Sequence, residues 1–290
     1  MLQRTYELAP NPPKAMEWKT YEEKVLQEWS TILNSEDCDE RRVHEFLVQH
    51  PSMIPGAHSI TGPSGHSPFP LAVLSESPLS GVGIRIPDFL WLASDSADFN
   101  PVFIEIESPR KRWFTKAEEP THALTQAVNQ LAQWRSWLNQ PENVLTFYTS
   151  FEIPDYLRNY HTFRPEFVLI YGRRQEFVDR PQLRRLRNQF EQFGQVVMTF
   201  DRLRPDKDCS DFIAATKRNG PYRALAVPAT ITLGPWVAED FARIGGLAEA
   251  INKNTWLTEN RRKFLIGRLP YWNAWAKKPS KGFINSGDWE

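Results

Sequence analysis

The chain has 290 residues, of which 41% are hydrophobic and 24% charged, proportions typical of a globular protein with a sizeable core. Its 35 basic and 35 acidic residues cancel, so any attraction to nucleic acid has to come from a local patch rather than from net charge. Two cysteines without a CxxC pair exclude a zinc finger and argue against a disulfide framework, and the lack of an apolar leader or a long apolar run predicts a cytoplasmic protein without membrane spans.

Two helices are predicted in the first fifty residues, after an irregular, proline-rich lead-in (residues 1–14). Apolar residues recur near helical spacing in segment 15–34, at Trp18, Tyr21, Val25, Trp29 and Ile32. A second helix is predicted after "SEDCDE", with a stop at His50-Pro51. Its apolar face consists of Val43, Phe46 and Leu47. The Ser-, Gly- and Pro-rich stretch from Gly56 to Ser80 is predicted to be a long loop.

From Gly83 onward the pattern becomes β-prone. "GIRIPDFLWLAS" (Gly83–Ser94) and "PVFIEIES" (Pro101–Ser108) flank a turn and predict an antiparallel pair of strands. A helix is then predicted from an apolar stripe that consists of Ala123, Ala127, Leu131, Trp134 and Leu138. Strands are predicted at 143–150, 165–173 and 195–203. The helix predicted at 181–194 has as its inward residues Leu183, Leu186, Phe190 and Phe193.

The predicted order from Gly83 to Leu203 is β-β-α-β-β-α-β, which indicates an α/β (α+β) fold with a mixed sheet flanked by helices. We expect a helical segment at 1–35, a main domain at 36–205 and an extension at 206–290. The extension is predicted to hold a short helix near 236–252 and a tryptophan-rich tail. The tail residues, which would pack on the main domain or on a partner subunit, are Trp256, Trp272, Trp275 and Trp289.

The strand Pro101–Ser108 carries two acids, Glu105 and Glu107, that interrupt an otherwise apolar run. Because side chains alternate along a strand, both glutamates project from one face, with their Cα atoms about 7 Å apart. A buried pair of carboxylates has to be neutralised by basic side chains, by protons or by a hard divalent cation. The alternative is a solvated face of an antiparallel sheet, where the same alternation means only that the glutamates point outward.

A third acid, Asp88, lies in the preceding predicted strand, and antiparallel pairing could bring it near Glu105. Three acids on neighbouring strands suit Mg²⁺, which prefers carboxylate, water and phosphate oxygens. The basic residues that follow the second strand are Arg110, Lys111, Arg112 and Lys116. A metal that activates water, next to cations that stabilise an oxyanion, is the arrangement that phosphodiester hydrolysis requires.

Six segments stand in the order found in the Shedu family, which the chain resembles over residues 36–205. They are "ERRVHEFLVQHP" (Glu40–Pro51), "IPDFLW" (Ile86–Trp91), "VFIEIESP" (Val102–Pro109), "AVNQLAQWRSWL" (Ala127–Leu138), "PEFVLIYGRR" (Pro165–Arg174) and "VVMTFDRL" (Val196–Leu203). The resemblance implies a bacterial antiphage defence protein with a restriction-endonuclease-like core of the PD-(D/E)xK nuclease superfamily. It also implies a homo-oligomer that acts on DNA, expected to be double-stranded.

The same resemblance assigns the metal ligands. It implies that Asp88 and Glu105 hold Mg²⁺ or Mn²⁺, while Glu107 occupies the place of the motif's lysine. Three interpretations of that departure stay open: Glu107 is a third ligand or a base for water, Lys111 or Lys116 replaces the lysine, or catalysis has been lost and the domain only binds nucleic acid.

Gln130 and Glu40 also have two interpretations each. In similar nucleases a glutamine at the place of Gln130 positions water or the DNA backbone; the alternative is a half-buried amide that caps a strand end. Trp134, on the same helix, is expected in the core. Glu40 and Glu45 begin the earlier predicted helix, from which members of the superfamily often draw an accessory acid; the alternative is that they are ordinary exposed helix acids.

Residues 173–187 form a strongly basic segment, with six arginines against two acids. A helical face made by Arg180, Arg184 and Arg187 suits phosphate groups through charge and bidentate geometry, and the alternative is a solvated face paired with local acids. The residues predicted to contact nucleic acid are Arg110, Arg173, Arg180, Arg184 and Arg187.

Other catalytic and binding motifs are absent from the sequence. The six histidines lack metal-binding spacing and are expected in loops or on the surface. Neither GxxxxGK[ST] nor GxSxG occurs, so no nucleotide cofactor and no serine hydrolase is expected.

Overall fold

A mixed β-sheet, built from strands between Ala72 and Gly245, forms the centre of the described fold. The computed structural model describes residues 4–58, 60, 66–80, 85–285 and 287–290, and within them nine strands pair into one sheet. The strands are β1 Ala72–Ser75, β2 Phe89–Ser94, β3 Asp98–Ile106, β4 Thr162–Phe163, β5 Glu166–Ile170, β6 Gln195–Met198, β7 Ile213–Thr216, β8 Tyr222–Ala226 and β9 Ile244–Gly245.

The strand order is β6-β5-β3-β2-β1-β7-β8-β9, and β4 pairs with the beginning of β3. Neighbours β6, β5 and β3 run parallel, as do β1 with β7 and β8 with β9. The pairs β3–β2, β2–β1 and β7–β8 are antiparallel. Strands β2, β5 and most of β3 are buried along their length, which explains their nearly continuous apolar sequences.

Helices flank this sheet. They are α1 Trp18–Asn34, α2 Glu40–Gln49, α3 His122–Leu138, α4 Pro141–Ser150, α5 Asp155–Tyr160, α6 Pro181–Asn188, α7 Ala238–Phe241, α8 Leu247–Lys253 and α9 Glu259–Ala276. Short 3₁₀ turns lie at Pro51–Met53, Arg174–Phe177, Phe200–Arg202 and Lys207–Cys209. In the part of the chain described here, no helix combines the length and apolarity needed to cross a membrane.

The predicted fold class is confirmed: a mixed sheet lies between helices. Helices α1 and α2 occur where helical spacing predicted them, and Asp39 caps α2 by accepting a hydrogen bond from the backbone N–H of Arg42 at 2.8 Å. Strands β2 and β3 form the predicted antiparallel pair. The predicted strand at 83–94 begins only at Phe89, and its residues 83 and 84 lie outside the described residues.

The strand predicted at 143–150 is wrong, because these residues form α4. Pro141 occupies the first turn, where its missing N–H costs no hydrogen bond, and Glu142 suits the helix dipole there. The β-prone residues of this segment still bury one face, since Tyr148 packs 5.8 Å from the ring of Phe99 on β3. Helix-start chemistry and packing therefore outweighed β propensity.

Three smaller expectations also fail. Helix α6 ends at Asn188, so Phe193, predicted to point inward, is 95% exposed. The predicted loop 56–80 contains β1, whose apolar residues fill the sheet between β2 and β7. His50, expected in a loop or on the surface, is buried beside Tyr21 and Trp256.

The segment 206–290 continues the sheet of the preceding residues. Strands β7 and β8 extend it beyond β1, and β9 forms the far edge. The tail folds as α9, an 18-residue helix that the sequence did not predict. Trp272 and Trp275 of α9 are buried against Tyr6, at centroid distances of 5.8 and 5.7 Å, so this part of the tail packs within the chain.

Candidate active site

The site lies at the carboxyl end of β3, where this strand runs parallel to β5. The register pairs Ile106 with Ile170, and the backbone N–H of Glu107 donates to the carbonyl oxygen of Ile170 at 3.0 Å. Across the antiparallel pair, Phe89 lies opposite Ile104, so continuation of the register sets Asp88 opposite Glu105. The sheet itself therefore brings the two acids together.

Asp88 is fixed by a backbone hydrogen bond. Its Oδ2 accepts from the N–H of Ile106 at 2.8 Å. The His44 ring stacks on Phe89 at 4.7 Å and hydrogen-bonds to the backbone carbonyl of Asp88, while its Nε2 lies 3.3 Å from Ser75 Oγ. Helix α2 thus holds the segment that carries Asp88 from the other side.

Asp88 and Glu105 form a buried pair of carboxyl groups that share a hydrogen bond. Burial raises the pKa of Glu105 far above its usual range, and the charges of Asp88, Glu107 and Glu40 raise it further. Burial also raises the pKa of Asp88, against the lowering effect of the Ile106 N–H. Glu105 Oε2 is a buried acceptor with no hydrogen-bond partner in the described part of the chain. A proton or a cation is required to balance this pair.

A second pair of acids adjoins the first. Glu40, the first residue of α2, hydrogen-bonds to Glu107, and burial with the Glu107 charge raises the pKa of Glu40. Lys111 Nζ pairs with Glu107 Oε2 and lies 3.9 Å from Glu40 Oε2. Burial lowers the pKa of Lys111, but the hydrogen bond to Glu107 and the two negative charges reverse this, so the net change is upward.

The acids form two hydrogen-bonded pairs, Asp88–Glu105 and Glu40–Glu107, with Lys111 beside the second. No three of these acids have ligand atoms that all lie within 4.8 Å of one another. Among the described residues, the one group with three such atoms lies elsewhere in the fold. The sequence treated Glu40 chiefly as an exposed helix acid, and its side chain is indeed 51% exposed, although it lies beside Glu107 and Lys111.

Gln130 lies away from the acids, further along the axis of α3. It is half-buried on α3, eight residues after the helix begins at His122, or about 12 Å along the axis. The beginning of α3 is the end near the acids. The hydroxyls of Thr121, which precedes α3, and of Tyr171 both donate to the carbonyl oxygen of Arg112, and Arg112 follows Lys111 in the chain. Tyr171 follows β5, and the charges of Glu107 and Lys111 act on the pKa of its hydroxyl. The sequence did not predict Tyr171 as a residue of the site. Trp134 is buried, as expected for a core residue.

A cationic groove of about 410 Å³ adjoins the acids and shares Lys111 with them. Its basic lining residues are Arg110, Lys111, Arg112, Arg173 and Arg180. Arg112 lies 3.9 Å from Glu176, the acid in the lining. The groove combines three of the predicted contact residues with two further cations.

Three of the predicted arginines, Arg173, Arg184 and Arg187, have local partners. Arg173, although it lines the groove, donates to Asp201 Oδ1 at 3.0 Å and to the Leu33 carbonyl oxygen at the end of α1. Arg184 donates to the Phe177 carbonyl oxygen at 3.1 Å. Arg187 lies over the Phe177 ring at 5.7 Å and reaches Asn188. Arg110 and Arg180 are exposed in the lining of the groove.

The comparisons with known proteins match one family. The model described as "Shedu protein SduA, C-terminal" matches residues 37–203, which include α2, the two carboxyl pairs, the cationic groove and β6. No curated protein matches the chain.

Proposed function

The chain belongs to the Shedu SduA C-terminal family, a family of antiphage defence proteins, and on this premise we propose that it is an endodeoxyribonuclease dependent on Mg²⁺ or Mn²⁺. Its substrate would be double-stranded phage DNA, cut in the bacterial cytoplasm. The observation that carries the proposal is the buried Asp88–Glu105 pair, whose oxygen Glu105 Oε2 has no partner in the described part of the chain.

The donor set fits a hard divalent cation. Carboxylate oxygens are the ligands that Mg²⁺ prefers, and a cation between Asp88 and Glu105 would offset the burial and the nearby negative charges that otherwise favour the protonated pair. Such a cation supplies a water of lowered pKa and offsets charge on the phosphate. Glu107 could join as a third ligand if its side chain leaves Lys111.

Lys111 is the residue that we propose for the role of the missing motif lysine. Its ammonium group pairs with the carboxylate of Glu107, the residue that stands where the motif has lysine. Lys111 is four residues further along the chain, yet its positive charge lies close to where the motif's lysine would place one. Glu107 would hold Lys111, and Lys111 would orient the attacking water and stabilise negative charge on the phosphate. Lys116 is exposed and is the weaker candidate.

The cationic groove would bind the DNA backbone. Arg110, Arg112 and Arg180 carry positive charge along a surface that meets the acids at Lys111. Contacts of this type go to phosphates and position the duplex without selecting a sequence. Gln130 would contact the same backbone only from the middle of α3. The expected homo-oligomer would add copies of this groove.

The test is cleavage of duplex DNA in Mg²⁺ by the wild type, Glu105→Gln and Glu45→Gln. Glu45 is a matched control, because it is an exposed acid of α2 that pairs with Arg41 at 4.0 Å. The proposal predicts cleavage by the wild type and Glu45→Gln and loss of cleavage in Glu105→Gln. Cleavage that persists in Glu105→Gln excludes the assigned site.

A second candidate function is nucleic-acid binding without cleavage. It is favoured by the glutamate at position 107 and by the Lys111–Glu107 ion pair, which occupies the place of a free lysine. This alternative predicts salt-sensitive DNA binding that is weakened by neutralising the groove, with no cleavage in Mg²⁺ or Mn²⁺.

A further inference from the structure

A second group of metal-ligating side chains lies apart from the acids, at His58, Asp206 and Cys209. One ligand atom from each residue lies within 4.8 Å of the other two. We propose that these three residues bind one Zn²⁺ ion. The site takes a different class of metal from the carboxyl pairs and does not depend on the nuclease proposal.

Asp206 and Cys209 are brought together by a 3₁₀ turn. Asp206 caps the turn Lys207–Cys209, accepting from the backbone N–H of Asp208 at 3.0 Å, and the Cys209 N–H donates to the Asp206 carbonyl oxygen at 3.1 Å. Residues three apart in a 3₁₀ helix lie one above the other, so the two side chains share a side of the turn. The Asp206 N–H donates to the Ser52 carbonyl oxygen at 2.9 Å, which attaches this turn to Pro51–Met53.

His58 arrives from the loop that follows Pro51–Met53. The loop turns at Gly56, where φ is +108° and a Cβ would lie 2.8 Å from Val102 Cγ1, so glycine is needed for this close approach to β3. His58 Nδ1 lies 3.3 Å from the His66 carbonyl oxygen. If Nδ1 donates there, Nε2 carries the free lone pair, which is the usual arrangement of a metal-ligating histidine.

The two imidazole nitrogens differ in environment. His58 Nε2, the atom that would ligate the metal, is fully buried and has no hydrogen-bond partner in the described residues. Without a metal, the Cys209 thiol hydrogen-bonds to the Asp206 carboxylate, which satisfies those two groups and leaves Nε2 unexplained. A cation at the centre of the group would satisfy all three.

The donor set selects zinc over magnesium. Zn²⁺ binds sulfur, imidazole nitrogen and carboxylate oxygen at about 2.0–2.3 Å in tetrahedral geometry, so two of its ligand atoms lie about 3.3–3.8 Å apart. The ligand atoms here lie within 4.8 Å of one another, so zinc binding requires side-chain rotations that bring them closer by up to about 1–1.5 Å. His58 and Asp206 also line a groove of about 520 Å³, so water can take the fourth position.

The ion would join two distant parts of the chain. It would hold the loop after α2 to the turn before β7, and α2 carries Glu40 and His44 of the candidate active site. Asp206 and Cys209 lie beyond the residues matched by the family model, 37–203, whereas His58 lies within them, so the site joins the matched part to the segment that follows it. The inferred role is structural.

The test uses the full chain, freed of metal by a chelator and titrated with Zn²⁺ in excess Mg²⁺, which occupies hard carboxylate sites. Affinity is measured by competition with a chromophoric chelator, and Co²⁺ is added separately to detect thiolate ligation by its charge-transfer band. The variants are Cys209→Ser, His58→Gln and Asp206→Asn. The controls are Cys38→Ser, which changes the other buried free cysteine, and Asp208→Asn on the same turn.

The expected result is one Zn²⁺ per chain in the wild type and both controls, with affinity lowered at least tenfold in each ligand variant. The Co²⁺ thiolate band should vanish in Cys209→Ser and persist in Cys38→Ser. Saturating Zn²⁺ should raise the unfolding temperature of the wild type by about 5 °C. Absence of stoichiometric zinc in the folded wild type, or unchanged affinity in both His58→Gln and Cys209→Ser, overturns the proposal. If Cys209→Ser fails to fold, His58→Gln and Asp206→Asn decide.

Discussion

The carboxylate of Asp88 accepts a hydrogen bond from the backbone N–H of Ile106 at 2.8 Å, which fixes an acid that precedes β2 against the last residue of β3. Because Glu105 immediately precedes Ile106, this bond holds the two carboxyl groups side by side in a buried place. Burial is the largest cause of their raised pKa values, and nearby negative charges add to it, that of Glu40 at Asp88 and that of Asp88 at Glu105.

The first prediction concerns pH. In the folded chain the raised pKa values make Asp88 and Glu105 bind protons more tightly than in the unfolded chain. Their contribution therefore favours folding below the ordinary carboxyl pKa of about 4 and is lost as the pH rises through the raised values. Glu105→Gln should make the metal-free protein more stable at pH 8 by about 1–2 kcal/mol and should flatten the decline of stability above pH 5.

Thermal unfolding in a chelator, followed by circular dichroism across this pH range, checks the prediction. Glu45→Gln is the control, since this acid is exposed on α2. Equal slopes for the wild type and Glu105→Gln would show that the buried pair does not titrate as described.

The second prediction concerns metal binding to the folded protein. Mg²⁺ should raise the unfolding temperature of the wild type, because it binds the ionised Asp88–Glu105 pair in the folded state alone. The rise should be larger at pH 8 than at pH 6, since protons compete for the same oxygens. Asp88→Asn and Glu105→Gln should each abolish it, while Glu45→Gln keeps it. A rise that survives in both site variants places the Mg²⁺ elsewhere.

The third prediction separates the two lysines. Lys111→Ala should lower the cleavage rate by about 10²–10³, the usual effect of removing one charge-stabilising donor. Lys116→Ala should change it less than threefold, because Lys116 is exposed and makes no ion pair within the described residues. The measurement is single-turnover cleavage at saturating enzyme. The reverse ranking would assign the role to Lys116, and two unaffected variants would return it to Glu107.

The fourth prediction concerns DNA binding by the groove. Arg110→Ala with Arg180→Ala should weaken binding to any duplex and should reduce the salt dependence of the binding constant by about one unit of slope for each phosphate that the protein no longer touches. Arg158→Ala is the control, since this exposed arginine lies near the end of α5, close to the beginning of β3 and away from its carboxyl end. Fluorescence anisotropy at several salt concentrations measures both quantities, and an unchanged slope in the double variant removes the groove from the binding surface.

The fifth prediction concerns the extension. Arg261 of α9 is only 1% exposed and donates to the carbonyl oxygens of Pro13 and Ile231, both at 2.7 Å, and to the Glu290 carboxylate. Arg261→Ala should destabilise the protein by about 3–5 kcal/mol, because it leaves a buried carboxylate and two carbonyl groups unpaired.

Urea unfolding with a single shared transition would show that the extension unfolds together with the rest. Arg262→Ala is the neighbouring control, whose guanidinium caps only the Asn254 and Leu257 carbonyl groups. A similar drop in stability for both variants would deny a special role to the buried ion pair.

The sequence predicted those features that depend on local pattern. Helical spacing indicated α1 and α2, and alternation with a turn indicated the β2–β3 pair that brings Asp88 and Glu105 together. Segment 143–150 was mistaken for a strand, since its side chains suit either structure and only the contact with Phe99 decides.

Long-range contacts were beyond such patterns. Glu40 meets Glu107 through the docking of α2, and His58 meets Cys209 from a distant part of the chain, so no spacing rule could pair them. The close spacing of Asp206 and Cys209 was visible in the sequence, but their partner histidine was not.

The nuclease proposal is tested most directly by the Mg²⁺-dependent cleavage of duplex DNA by the wild type and Glu105→Gln, each shown to be folded and to bind DNA equally. We expect the wild type to cut and Glu105→Gln to bind without cutting. Equal cleavage by the two proteins, or none by either in Mg²⁺ and Mn²⁺, would contradict the assignment of Asp88 and Glu105 as the metal-binding pair of an active nuclease.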